Sequence, residues 1–131
     1  MAKSDYLEAA ILDHTFGRAT FTPPATVYVA LFTTATQDNG AGTEVSGGSY
    51  ARQAVTNDSD YWNRTDNVVS NDSQIAFPQA SANWGTVTHF ALFDAVTSGN
   101  MLYHAAVTSP ETVNINGQVV FEPGQLQFSE E

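Results

Sequence analysis

Near the start of the chain Leu7, Ala10, Ile11 and His14 recur at i, i+3, i+4 and i+7, the spacing of one helical face. Ser4 stands just before Asp5-Tyr6-Leu7-Glu8, a possible N-cap followed by acidic residues at the positive end of a helix dipole, and Gly17 offers a stop. The pattern predicts one helix of about three turns. Beyond Pro23-Pro24 the period changes to alternation and β-branched runs. Strands are expected at 26–34 (TVYVALFTT), 50–55, 74–77, 86–94 (TVTHFALFD), 101–107, 112–115, 118–121 and 125–128. Turn signals separate them: Asp38-Asn39-Gly40, Gly47-Gly48, Ser98-Gly99-Asn100, Asn116-Gly117 and Pro123-Gly124.

Two of these runs, VYVALF and HFALF, are apolar on both alternating faces, so their sheet must be covered on both sides. About eight short strands then read as a mainly β fold, an antiparallel β-sandwich of jelly-roll or immunoglobulin-like kind with one N-terminal α-helix. Residues 35–49 and 56–73 are expected to be loops, the second long, polar and rich in Asn and Asp. The chain reads as a single domain, 1–131, with residues 1–20 as an N-terminal arm and helix, and no internal repeat.

Composition narrows the function. With 131 residues and 42% hydrophobic content the chain has material for one core, and with no cysteine it has neither thiol chemistry nor disulfides. Its 14 acidic residues outnumber the four cations Lys3, Arg18, Arg52 and Arg64, for a net charge of −10. Such a surface repels phosphate, which excludes direct nucleic-acid binding and disfavours anionic membranes. No apolar stretch reaches signal-peptide or membrane-span length, so synthesis and folding in a cytoplasm are expected.

Candidate chemistry is sparse. His14, His89 and His104 belong to no metal-binding spacing and read as packed or half-exposed side chains, although His89 and His104 could face each other if their strands formed a hairpin. Asp58, Asp60, Asp66 and Asp72 offer oxygen ligands, but the Gly and Glu of a calcium loop are missing, so no metal is expected. Asn57-Asp58-Ser59, Asn63-Arg64-Thr65 and Asn71-Asp72-Ser73 match glycosylation acceptors by chance in an Asn-rich stretch. Asp94 and Glu122 are the one acid pair at strand ends, and no catalytic motif stands beside them. No catalytic residue and no cofactor is therefore expected. Tyr61 and Trp62 stand out as aromatics in a polar stretch: they fold back over the core or anchor an interface, with Arg64 two residues on. Arg52, isolated in an acidic chain, is expected to pair with a carboxylate within the chain or across subunits.

Four segments carry a likeness to a known family: Ser4-Asp5-Tyr6-Leu7-Glu8 with Ile11-Leu12-Asp13-His14; Tyr28 to Thr33 (YVALFT); Gly47 to Ala54 (GGSYARQA); and Trp84 to Asp94 (WGTVTHFALFD). Together they resemble the small structural proteins of tailed bacteriophages, of capsid-decoration, minor-tail or tail-fibre type. The likeness spans nearly the whole chain and departs at 56–73, which is expanded here. It implies a non-enzymatic virion protein. The expected role is an outer-capsid decoration or cement protein that bridges coat subunits; the alternative is a minor tail or tail-fibre component that binds host surface glycans. Expected partners are the major capsid protein and the chain itself, as a homotrimer. Tyr6, Leu7, Arg52, Tyr61, Trp62 and Arg64 are the candidate interface residues, on the helix, the third segment and the departing stretch.

Overall fold

The computed structural model describes residues 2–130. A short strand β1 (Ala2–Lys3) leads into helix α1 (Asp5–Thr15). Ser4 is extended, with φ −71° and ψ 160°, and its hydroxyl accepts the Leu7 N–H at 3.1 Å, which satisfies one of the donors a helix start leaves free. The same hydroxyl donates to the Met101 carbonyl, fixing the helix start to the sheet. Gly17 follows the helix at φ +69° and lets the chain reverse.

Nine further strands follow: β2 (Thr26–Phe32), β3 (Gln53–Thr56), β4 (Trp62–Thr65), β5 (Val68–Asn71), β6 (Ile75–Ala76), β7 (Gly85–Phe93), β8 (Met101–Val113), β9 (Val120–Phe121) and β10 (Gln127–Ser129). Every pairing is antiparallel. The main sheet has five strands in the order β1-β8-β7-β2-β3; a three-stranded sheet runs β10-β5-β4, and β6 pairs with β9. Val27, Val29, Leu31, Phe90, Leu92 and Leu102 from one face of the main sheet share a core with Leu126, Phe128, Ile75, Phe77 and Val119 from or beside the smaller sheets. The layers thus face one another as in a sandwich, and Leu7 closes one corner as the only buried helix residue. On the other face, Ala30, Phe32, Ala91, Phe93 and Met101 form a second, smaller core. The doubly apolar runs are covered on both sides, as their pattern requires.

Three expectations are corrected. Residues 56–73 are no loop: β4 and β5 form a hairpin across Asp66 and Asn67, with Asp66 at φ +53°, and β10 adds a third strand. The segments 101–107 and 112–115 are one strand. Pro110 fits within it because Val107 to Pro110 stand opposite Thr88 alone, between the pairs Val87↔Glu111 and His89↔Ala106, where the ladder is interrupted. His89 and His104 do not oppose each other; their partners are Ala106 and Ala91.

Candidate interaction surface

The loop of residues 35–49 lies against its own sheet. Its Glu44 bridges to Phe32 at the end of β2 and receives a two-pronged contact from Arg52, Nη2 to Oε1 at 2.8 Å and Nε to Oε2 at 2.9 Å. The Arg52 side chain is only 7% exposed. Its Nη1 donates to the carbonyls of Ala95 and Ser98, and its carbon centre sits 3.7 Å from the centre of the Phe93 ring. The Tyr50 hydroxyl donates to the same Glu44 and accepts the Leu31 N–H. Burial, reinforced by the Glu44 carboxylate, pushes the Tyr50 hydroxyl well above its ordinary pKa. Further along, His104 is 7% exposed and joins Thr36 at 2.7 Å to Asp38 at 2.8 Å. Polar groups therefore seal the second core, and the expected partner of Arg52 is Glu44 of the same chain.

The opposite side is open. Between α1 and the β4–β5 hairpin lies a groove of about 590 Å³. Its walls and floor are apolar: Leu7 and Ile11 on the helix, Phe21 and Pro23 on the connection, Trp62 and Val69 on the hairpin, and Leu92, Tyr103 and Phe128 beneath. Trp62 meets Phe128 edge-on with ring centres 5.8 Å apart. Its indole nitrogen is buried with no hydrogen-bond partner among the described residues, so packing holds the ring. The rim is polar, made by Asp58, Ser59, Arg64, Asp66, Asn67 and Glu130. Lys3 and the Tyr103 hydroxyl converge on Glu130 at one end. Burial acts to raise the Glu130 pKa, but the hydrogen bonds from Lys3 and Tyr103 outweigh it and hold the carboxyl below its usual range. Tyr103 itself is pushed above its ordinary value by burial and by this carboxylate.

The six candidate residues fall into different settings. Trp62 and Arg64 stand on the groove, Tyr61 beside it is 40% exposed, and Tyr6 is 43% exposed on the helix. Leu7 is 4% exposed and belongs to the core as well as the groove floor, while Arg52 is internal. Three of the four cations are paired, Lys3 with Glu130, Arg18 with Asp13 and Arg52 with Glu44. Among the described residues Arg64 contacts no carboxylate and donates only to the Asp66 carbonyl.

Other candidates stay apart. Asp58 holds the Asp60 N–H in a local turn, and among the described residues the one close grouping of three carboxylates is Asp5, Glu8 and Asp38, all exposed. Asp94 binds Asn100 whereas Glu122 binds Gln74. Sequence reasoning does not single out Phe21, Val69, Tyr103 or Phe128, which meet only through strand order. Leu12 and Phe16, 58% and 74% exposed, also escape it, although both lie off the Leu7–Ile11 stripe. Among the described residues no helix is long and apolar enough to cross a membrane.

Residues 2–129 match the family model described as Podophage GP4 fiber I protein gp80. No curated protein matches the chain.

Proposed function

We infer a structural role within a phage tail from one premise: the chain belongs to the podophage GP4 fiber I protein gp80 family, a family of tailed-phage structural proteins. A virion structural protein is what this membership supports directly. The finer reading is a fibre component mounted on the tail, and the family's own description carries it. The fold suits such a part. Antiparallel sheets with both faces of the main one covered make a stiff unit, and a charge of −10 keeps free copies dispersed and away from packaged DNA.

The second reading is a capsid-decoration protein that bridges coat subunits. The compact body favours it, since an elongated fibre is commonly built from repeats and this chain shows none. In either role the chain itself, as a homotrimer, is a proposed partner, and the major capsid protein is a proposed partner only in the second. Imaging purified particles decorated with an antibody to this chain separates the readings. Label at the tail, in few copies per particle, is the expected result. Label spread over the shell overturns the fibre reading, and particles without the chain overturn both.

A further inference from the structure

The groove and the helix beside it carry complementary chemistry on opposite sides. Leu7 and Ile11 face inward; Leu12 and the cap residue Phe16 lie roughly 140° and 180° round the axis from Leu7, on the outer side. Both are large apolar side chains left in water. Glu8 precedes Leu12 by four positions and so adjoins the same outer stripe, where it is exposed and lies close to the carboxylates of Asp5 and Asp38. The stripe therefore reads acid, leucine, phenylalanine. The groove reads as its counterpart: an apolar trough between two walls, with Arg64 on the rim as the cation that no carboxylate neutralises among the described residues.

We propose that copies of this chain assemble head to tail, the outer stripe of one helix α1 seating Leu12 and Phe16 in the groove of the next copy and bringing Glu8 to the next copy's Arg64. A groove of about 590 Å³ falls in the size range of roughly 300–1,000 Å³ that buries whole ligands, ample for two side chains. Stripe and groove face different directions on one molecule, so the contact is heterologous and builds a ring where the rotation between copies closes and a filament where it does not. The charge complementarity is local. The rim around Arg64 also carries Asp58, Asp66 and Glu130, the last paired with Lys3, so the attraction is confined to the guanidinium and the like charges around it disfavour misaligned copies. The inference rests on the structural role above for a reason why copies should associate at all.

Sedimentation of the purified chain over a micromolar concentration series tests it, with particle content measured separately so that loss of assembly is not confused with loss of the virion role. Wild type associates into oligomers. Phe16→Ser, and Ser59→Trp combined with Arg64→Glu, each weaken association by roughly tenfold or more. All three substitutions fall on exposed positions, and unchanged circular dichroism verifies the fold. Mixed together, the stripe variant and the groove variant form a one-to-one pair, because each retains the half that the other has lost. A monomeric wild type overturns the proposal, as do variants that assemble like wild type or a mixture that forms no pair.

Discussion

Both flanks of this molecule begin with the same problem, apolar side chains facing away from the main sheet, and they end differently. On one flank the residues 35–49 close over Phe32, Phe93 and Met101, and a buried arginine satisfied by one carboxylate, two carbonyls and an aromatic face locks the cover down. On the other, α1 and the β4–β5 hairpin stand apart and leave the ring of Trp62 in an open trough. A closed flank spends its polar groups internally and has little left to offer a partner. An open flank keeps an apolar floor and an Arg64 that no carboxylate among the described residues neutralises, which is the composition of a contact surface.

Substitutions on each flank separate the two roles, beginning with the largest effect. Arg52→Ala leaves Glu44 without its cation and uncovers Phe93, and should lower unfolding free energy by about 3 kcal/mol in urea titration. Self-association should survive in whatever fraction remains folded. Gly99→Ala follows. Gly99 sits at φ +74°, and an added Cβ would lie 2.5 Å from Asp94 Oδ1 and 2.6 Å from Ala95 Cβ, disturbing the loop that supplies carbonyls to Arg52. A loss of about 2 kcal/mol is expected in the same titration.

Acid should act more gently, at the edge of the open flank. In the folded chain the Glu130 carboxyl is held below the ordinary glutamate range, so the stability it contributes is complete above that range and is lost as pH falls through the lower folded value. The group is 42% exposed, so the effect is small. Glu130→Gln should lower the melting temperature slightly at neutral pH and match wild type in acid, which flattens the acid limb of the profile. Smallest of all, Phe16→Ser should change stability by no more than about 0.5 kcal/mol, because an exposed cap side chain packs on little within its own chain.

Local chemistry made part of this legible from the residues alone. Ser4 and the Leu7–Ile11 spacing announce the helix, and the doubly apolar VYVALF and HFALF announce a sheet that needs two covers. The lone Arg52 announces an acidic partner without naming Glu44. The hairpin at 62–71 was hidden because its strands, WNRT and VVSN, are short and polar: in the hairpin Trp62 alone is a large apolar residue, and the partner strand β10 lies far along the chain. The seal over the second core was equally hidden, since residues 35–49 meet it through polar groups and the close approach of Gly42 to Phe32, while their one buried residue, Val45, joins the main core, and a Gly- and Thr-rich stretch gives little hydrophobic signal. The groove depends on bringing Phe21, Trp62, Tyr103 and Phe128 together, which needs strand order and cannot be read from spacing.

The contrast between the flanks is tested most directly in the assembled particle. The chain contains no cysteine, so Ser59→Cys on the groove rim and Thr97→Cys on the loop that clamps Arg52 each create a single reporter. Rates of thiol labelling should match between the two sites in isolated chains held dilute enough to be monomeric. In intact virions the Ser59→Cys site should be protected and the Thr97→Cys site should still react. Equal reactivity of both sites in the virion, or protection of the Thr97→Cys site alone, would contradict the assignment of the open flank as the assembly surface.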